Sequence, residues 1–174
     1  EETSASQPGE ESENAGDEAQ GGEETSASQP GEESENASEK EPALIYRGRF
    51  QDGAYDGKGE LYQEGELVYS GSFVDGKKEG AGKLYEEGGA LLYEGDFEKD
   101  SYSGKGKLYA EEKLSYEGGF SDGKKEGLGK SYDEDARLVY DGSYKNDLYD
   151  GAGRLYDPAA GTLLYDGTFV GGLY

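Results

Sequence analysis

The side chains that most often carry out chemistry in proteins are missing from this chain, which has no His and no Cys among its 174 residues. Without His there is no proton shuttle near neutral pH, and without Cys there is neither a thiolate nucleophile nor a zinc site of the usual kind. Asp and Glu remain, 40 in all, and paired carboxylates can hydrolyse glycosides. However, none of them stands in an apolar stretch that would raise its pKa for this role. The composition therefore predicts a protein that is not an enzyme and needs no cofactor.

One acidic stretch begins like a calcium-binding loop. Asp133, Glu134 and Asp135 supply consecutive carboxylates, and carboxylate oxygens are ligands that calcium prefers. Arg137 and Tyr140 then stand where further ligands and a turn glycine would be expected. We interpret the stretch as a charged loop and predict no metal site.

Charge and composition divide the chain near Pro42. Residues 1–42 contain 14 acidic residues, one basic residue and no aromatic or large aliphatic residue. Such a segment cannot bury enough apolar surface to offset the loss of backbone entropy on folding. Residues 1–15 also recur without change as residues 23–37, which is typical of a low-complexity spacer. We predict a disordered acidic linker, rich in Ser, Glu and Gly, at 1–42 and a folded domain at 43–174.

The compartment is not fixed by cysteine usage, because a chain without Cys suits oxidising and reducing surroundings alike. The chain begins at Glu1, which fits a removed leader as well as a trimmed start. Its purely apolar runs, as at 90–93, are about four residues long, whereas a membrane helix needs roughly 18 or more. An acidic spacer ahead of a folded domain favours an extracellular or cell-envelope location, with the cytoplasm as the alternative.

The folded domain repeats a short motif, Tyr-x-Gly-x-aromatic, at spacings of 23, 24, 23, 24 and 25 residues. The six copies are Tyr46, Gly48 and Phe50; Tyr69, Gly71 and Phe73; Tyr93, Gly95 and Phe97; Tyr116, Gly118 and Phe120; Tyr140, Gly142 and Tyr144; and Tyr165, Gly167 and Phe169. The first five copies are each followed by Gly-x-Gly and a Leu-Tyr pair, with Ser131 in the place of Leu in the fourth. Five repeats and a half at this period are the strongest signal in the sequence.

Both halves of the repeat alternate in the manner of β-strands. In the first half, Leu67, Tyr69, Gly71 and Phe73 fall on every second residue, which predicts that all four point to one face. In the second half, the two glycines and the Leu share a face, and the following Tyr lies on the opposite face. Turns that contain Asp-Gly join the two halves into a hairpin.

The predicted fold is all-β, an elongated antiparallel meander of eleven strands built from stacked β-hairpins in a single-layer repeat sheet. The motif glycines and the aromatic residues two places on either side are predicted to be structural, because aromatic rings can lie flat on glycine backbone. Each repeat contacts only its neighbours, so the terminal repeats should fray first.

The string Tyr-Glu-Gly-Asp-Phe at 93–97, followed by Gly-Lys-Gly-Lys-Leu-Tyr at 104–109, resembles the MORN repeat, in a version similar to that of bacterial MORN repeat proteins. The chain has Phe where many members have Trp, and its second strand ends in Leu-Tyr. The resemblance implies an elongated sheet of stacked hairpins used for scaffolding, protein binding or oligomer formation, with lipid head groups bound by some members. It implies no catalytic activity.

Charge argues against two classes of partner. The domain at 43–174 carries 26 acidic and 16 basic residues, without the basic stripe that neutralises nucleic-acid phosphates. Its basic pairs, Lys77-Lys78 and Lys124-Lys125, are each followed by Glu. We interpret them as solvated turn charges and expect neither nucleic acid nor anionic membrane as a partner.

Alternate repeats share one turn position, occupied by Tyr55, Tyr102 and Tyr149 at intervals of 47 residues. An exposed Tyr offers a large amphipathic surface at low entropic cost. We predict that these three residues and Tyr174 form an exposed row that binds a partner. Packing of the rings over an adjacent hairpin is the alternative.

Two functions fit these patterns. The one we favour is a non-catalytic interaction or assembly scaffold for a protein partner or a homo-oligomer, with the acidic linker as a tether at the cell surface. The other is a module that binds cell-wall polysaccharide or another carbohydrate, with sugars stacked on the Tyr row. The sequence resembles Tyr- and Gly-rich carbohydrate-binding repeats in this respect, although its lack of Trp counts against that function.

Overall fold

The computed structural model describes residues 44–174, and the linker predicted at 1–42 lies outside the described residues. Eleven strands occupy this part of the chain. They are β1 (Leu44–Gln51), β2 (Ala54–Gln63), β3 (Glu66–Val74), β4 (Lys77–Tyr85), β5 (Leu91–Glu98), β6 (Ser101–Ala110), β7 (Lys113–Ser121), β8 (Lys124–Tyr132), β9 (Leu138–Lys145), β10 (Leu148–Asp157) and β11 (Thr162–Phe169).

The eleven strands form one antiparallel sheet, and each strand pairs with the strands before and after it in chain order. No element of residues 44–174 is a helix, so this part of the chain holds no helix that could cross a membrane. The predicted all-β meander of hairpins is therefore confirmed. The two end strands, β1 and β11, each have one neighbour.

Two-residue turns join each odd strand to the even strand after it and lie along one side of the sheet, the tight-turn edge. Asp52 and Gly53 have φ values of 51° and 82°, the left-handed conformation that such hairpin turns require. The predicted Asp-Gly turns are thus confirmed, here and at 75–76 and 122–123. The remaining two turns, at 99–100 and 146–147, have no glycine, and all four of their residues also have positive φ.

Successive tight turns are hydrogen-bonded to each other. The Gly76 N–H donates to the Tyr55 carbonyl at 3.0 Å, and the Asp100 N–H donates to the Lys78 carbonyl at 3.1 Å. In return, the Lys78 N–H donates to the Asp100 carboxylate at 2.9 Å. The hairpin tips therefore form a row in which each repeat is coupled to the next outside the strand ladder.

The two glycines of Gly-x-Gly have different structural roles. Gly57 lies in a β-bulge, at a register shift opposite Gly48 and Arg49, and has a φ of 69°. Gly59 pairs directly with Gly48. The first glycine is therefore needed for its left-handed backbone conformation, and the second for the space it leaves above the strand.

A second kind of bulge corrects the alternation predicted for the first half of the repeat. In β3, Tyr69 pairs with Leu61 and Leu67 pairs with Tyr62, which leaves Val68 as an extra residue. Val68 packs against the buried core. The prediction that Leu67 shares a face with Tyr69 is wrong, because one extra residue shifts the alternation of side chains by one.

The core lies on one side of the sheet, which we call the aromatic face. Four motif tyrosines, Tyr69, Tyr93, Tyr116 and Tyr140, are 0% exposed. The other buried apolar residues are Leu61, Phe73, Phe97, Phe120, Tyr144 and Phe169. A single-layer sheet thus builds its core from aromatic rings that cover one another on this face, and the opposite face remains available.

Candidate interaction surfaces

The motif tyrosines lie across glycine backbone on the aromatic face. A Cβ added to Gly95 would lie 2.5 Å from the Gly106 Cα and 2.5 Å from the Tyr93 hydroxyl. Real Cβ atoms do not approach other atoms so closely, so glycine is required at this position. The same arrangement recurs at Gly48, Gly71, Gly118, Gly142 and Gly167, each beneath the motif tyrosine two residues before it.

Each motif tyrosine also forms a hydrogen bond that the sequence pattern did not reveal. The Tyr93 hydroxyl donates to the Asp96 carbonyl at 2.9 Å. The equivalent bonds of the other five run from Tyr46, Tyr69, Tyr116, Tyr140 and Tyr165 to the carbonyl three residues later. The bond satisfies the one polar atom of a buried ring. The signal that could have indicated it is the use of Tyr, and never Phe, at this position.

The aromatic residues at the end of the motif link one repeat to the next. The Tyr69 ring makes edge-to-face contacts with Phe73 of its own repeat at a centroid distance of 5.1 Å and with Phe97 of the next at 5.2 Å. Such contacts recur along the sheet and add to the stabilisation that burial alone gives. The repeats are therefore held together by one continuous aromatic row.

Tyr55, Tyr102 and Tyr149 belong to this row and are not the exposed surface that we expected. Their rings stack on Tyr46, Tyr93 and Tyr140 at centroid distances of 4.0, 3.9 and 3.7 Å. All three are half-buried and pack against the core. The prediction that they are exposed is therefore wrong, and the alternative of packing is correct, because each ring stacks on the face of a motif tyrosine. Their part in partner binding stays a prediction.

The alternation over 47 residues has a structural explanation. In the even repeats, Lys78 and Lys125 take the place of these tyrosines, as the partners of Phe73 and Phe120 in the strand ladder. The Lys125 ammonium lies 4.8 Å from the centroid of the Tyr116 ring. A ring or a cation thus covers each motif tyrosine in turn, by stacking or by a cation–π contact.

Tyr174 is the only one of the four predicted binding tyrosines that is exposed, at 72%. Its ring lies 5.0 Å from Tyr165 and 5.7 Å from Phe169. It therefore covers the last motif tyrosine partly, in the position that Tyr149 has in the repeat before.

The opposite side of the sheet carries a row of residues, all but one of them charged, that the sequence pattern did not reveal. Each residue of the row pairs with the next across the strands, and the sign alternates except at Ser70, which carries no charge. The row, which we call the charge ladder, runs through Arg47, Glu60, Ser70, Lys83, Glu94, Lys107, Glu117, Lys130, Asp141, Arg154 and Asp166. We call this side the ladder face.

Some charges of the ladder pair with one another. Lys83 lies 3.1 Å from Glu94, and Arg154 lies 3.0 Å from Asp166. The side chains of these four residues remain 43% to 57% exposed, so each pair adds little to stability. The charges of the ladder are therefore accessible to a partner.

A row of tyrosines flanks the charge ladder on the same face. These residues are the Tyr of each Leu-Tyr pair, Tyr62, Tyr85, Tyr109, Tyr132 and Tyr156, and all five are half-buried. The Tyr132 hydroxyl donates to Glu117 at 2.7 Å, and the Tyr62 hydroxyl donates to Glu60 at 2.7 Å. The sequence places this tyrosine opposite the glycines, but only the strand register shows that it adjoins the charges.

On its other flank the ladder borders a shallow trough over glycine backbone, made of two adjoining depressions. One, of about 640 Å³, is lined by Ser72 and Ala81 among others, and the other, of about 1020 Å³, by Gly119 and Leu128. Both include Glu94 of the ladder. Leu128 is 76% exposed within this trough.

Burial shifts the pKa of several groups on the aromatic face. It raises the pKa of Tyr69 and of Tyr116 to about 12, and it also raises the pKa of Tyr93. Burial lowers the pKa of Lys125, which lies over the Tyr116 ring. These shifts belong to the core and do not mark a catalytic site.

The acidic stretch that begins at Asp133 is a turn closed by its own hydrogen bonds. The Asp133 carboxylate accepts from the backbone N–H of Asp135 at 3.0 Å and from that of Arg137 at 2.8 Å. The Arg137 guanidinium lies 2.9 Å from the same carboxylate. The backbone hydrogen bond from Arg137 is the main reason that the pKa of Asp133 is lowered. Within residues 44–174, no group of three or more acidic side chains is placed to hold a metal ion.

A single sheet of stacked hairpins, with a Tyr ring over glycine in every repeat, defines a β-hairpin repeat protein. The MORN repeat matches residues 46–65, 69–89, 93–111, 116–135 and 140–159, which together are more than half of the chain. The chain belongs to the MORN repeat family. Comparison with curated proteins found no significant match. MORN repeats are generally thought to mediate protein or membrane interactions, and the family is generally non-catalytic.

Proposed function

We propose that the ladder face binds a protein partner and that the chain is a non-catalytic interaction or assembly module. The observation that carries this proposal is the position of the charge ladder along an open trough, on the side of the sheet that the aromatic core does not use. Alternating charges give a partner its orientation and register more than its affinity. The trough supplies uncharged surface beside them.

The dimensions of the sheet support this proposal. Eleven strands at about 4.8 Å each span roughly 50 Å, enough for an interface of standard size. The domain has a net negative charge, but the ladder itself is balanced in sign. This balance favours a polypeptide of mixed charge over an anionic membrane or nucleic acid.

The proposal can be tested by site-specific photocrosslinking in the organism that makes the protein. A benzophenone amino acid is placed at Ala81 or Ala152, which are exposed on the ladder face, and at Asp75 or Lys124, which are exposed on the tight-turn edge. We expect the first two positions to crosslink the same protein and the last two to give no such product. Equal crosslinking from both pairs, or none from Ala81 and Ala152, would contradict the proposal.

A carbohydrate-binding module is the second candidate, and the tyrosine row at 62, 85, 109, 132 and 156 is the observation that favours it. These half-buried rings recur on every second strand, at intervals of about 9.6 Å, and an unbranched polysaccharide could stack on them. We would test this by sedimenting the chain with purified cell walls. A Tyr109→Ala, Tyr132→Ala variant should lose pelleting if this function is correct.

We also propose that the acidic linker tethers the module at the cell surface. The composition of the linker and its position ahead of the repeats support this proposal. Fractionation of the native organism tests the location, because recovery of the protein in the cytoplasm would contradict it.

A further inference from the structure

We infer that the segment of the partner that lies in the trough is an amphipathic α-helix that crosses the strands, with alternating charges on the flank facing the charge ladder. This inference rests on the proposed function and specifies the chemistry of the partner. Its contacts would centre on β6, β7 and β8, where the larger depression lies.

The spacing between charges in the ladder is close to the spacing between residues along one flank of an α-helix. Neighbouring strands are about 4.8 Å apart, and the ladder changes sign at nearly every strand. Residues along one flank of an α-helix are alternately three and four positions apart in sequence. Successive residues of the flank are therefore about 5.3 Å apart along the helix axis on average. A helix that alternates acidic and basic residues at these steps stays close to the ladder over five strands, with a drift of roughly 2 Å.

Other backbone conformations do not follow this alternation. Residues on one face of an extended strand are about 6.7 Å apart, so they no longer lie opposite successive charges of the ladder after two strands. A polyproline helix repeats about every 9.3 Å, which is close to two strand spacings, so it would meet charges of one sign only. The alternation of sign therefore favours an α-helix over both.

Lys107 is the ladder residue that is free to bind such a helix. Its neighbours have other partners, since Glu94 pairs with Lys83 at 3.1 Å and Glu117 accepts from the Tyr132 hydroxyl. Lys107 is exposed and forms no ion pair within residues 44–174. An acidic residue of the helix would pair with it at the centre of the ladder.

Gly119 and Leu128 form the apolar part of the trough. The equivalents of Leu128 in other repeats are Lys58, Ala81, Lys105 and Ala152, so the large apolar residue is specific to this repeat. A Cβ at Gly119 would clash with the Glu126 carbonyl, so this position must be glycine and carries no side chain beside Leu128. An apolar residue of the helix fits against the exposed Leu128 side chain, as anchor residues do at the centre of interfaces.

The test uses the full chain and two displayed peptide libraries. One library contains helical peptides of about 18 residues, or ~27 Å, with an apolar stripe and flank positions drawn from Glu, Lys and Ala. The other contains unstructured peptides of the same length with random sequence. We expect enrichment from the helical library of peptides whose flank alternates in sign, with an acidic residue at the centre.

Matched variants locate the contacts of an enriched peptide. Leu128→Lys should weaken its binding about tenfold or more, and the fold tolerates Lys there because Lys58 and Lys105 hold equivalent positions. Leu148→Lys makes the same substitution at the tight-turn edge, where Lys77 and Lys124 hold equivalent positions, and should leave binding unchanged. Lys107→Glu should also weaken binding, and a Glu→Lys change at the centre of the peptide should restore it. Lys124→Glu, at the tight-turn edge, is the control for net charge.

The outcomes separate this inference from the proposed function. Enrichment only from the unstructured library, with loss of binding in Leu128→Lys, would overturn the helix and leave peptide binding in the trough. Helical peptides that bind Leu128→Lys as well as the parent chain would overturn the proposed contact. Failure of both libraries, together with absent photocrosslinks from Ala81 and Ala152, would overturn the protein-binding function itself.

Discussion

The ring of Tyr102 stacks on the ring of Tyr93, with centroids 3.9 Å apart and planes within 13° of parallel. Tyr102 is the residue that covers the motif tyrosine of its repeat, and Lys78 and Lys125 have this position in the neighbouring repeats. The chain thus covers its motif tyrosines in two ways, with a second Tyr ring or with a Lys ammonium group.

This equivalence predicts unequal effects of two substitutions at position 102. Tyr102→Ala should lower the free energy of unfolding by about 2 kcal/mol, because it uncovers the Tyr93 ring and removes a half-buried aromatic side chain. Tyr102→Lys should lower it by less than about 1 kcal/mol, because the ammonium can lie over the same ring. Urea denaturation of the two variants provides the measurement, and equal losses would refute the explanation of the 47-residue alternation.

The contact between Gly95 and the Tyr93 ring predicts intolerance of any side chain at this position. Gly95→Val should destabilise the domain by about 1 to 3 kcal/mol, as overpacking does elsewhere, because its Cβ would meet the Gly106 backbone. Ser70→Val, on the ladder face of a neighbouring repeat, is the control for the change to Val. An unchanged melting temperature for Gly95→Val would exclude the stacking of Tyr93 on glycine.

The hydroxyl of Tyr93 predicts a measurable difference between Tyr and Phe in the core. Tyr93→Phe keeps the ring and removes the hydrogen bond to the Asp96 carbonyl, so the free energy of unfolding should fall by about 1 kcal/mol. Tyr109→Phe is a matched control, because the Tyr109 hydroxyl forms no hydrogen bond to another side chain or to backbone within residues 44–174. Equal stability of Tyr93→Phe and the parent chain would show that the bond contributes nothing.

Much of the fold could be predicted from the sequence, because Tyr-x-Gly-x-aromatic and Gly-x-Gly recur with a nearly constant period. The Leu67 error arose because a bulge leaves no mark on an alternating pattern. The error at Tyr55 arose because Tyr55 and Lys78 have equivalent positions in their repeats but different side chains. Each covers the motif tyrosine of its own repeat, Tyr46 or Tyr69, and this common contact is visible only in the three-dimensional structure. The charge ladder was missed since its members are far apart in the chain and become neighbours only through the strand register.

The raised tyrosine pKa values predict loss of stability at alkaline pH. Tyr69 and Tyr116 titrate in the folded state with a pKa of about 12, above the value of about 10 for an unfolded chain. Their contribution is complete below pH 10 and is lost as the pH rises from 10 through 12, because the unfolded chain releases the hydroxyl protons first. Melting temperatures measured between pH 9 and 12, with tyrosinate absorbance recorded in parallel, check this. A constant melting temperature over that range would contradict burial of the hydroxyls.

The two ends of the sheet should differ in stability, because their aromatic residues are covered to different extents. Phe50 in β1 is 56% exposed, whereas Phe169 in β11 is 1% exposed. Phe50 contacts two rings, Tyr46 and Tyr55, while Phe169 contacts four, which are Tyr140, Tyr149, Tyr165 and Tyr174.

Amide hydrogen exchange should therefore show the least protection in β1, intermediate protection in β11 and the greatest protection in the central strands. In a repeat sheet, each strand is held only by its neighbours, and an end strand opens without unfolding the rest. Tyr174→Ala should lower the protection of β11 toward that of β1 and leave β5 to β7 unchanged. Uniform protection across all eleven strands would mean that the domain unfolds as one unit, and stacking between neighbouring repeats would then not explain its stability.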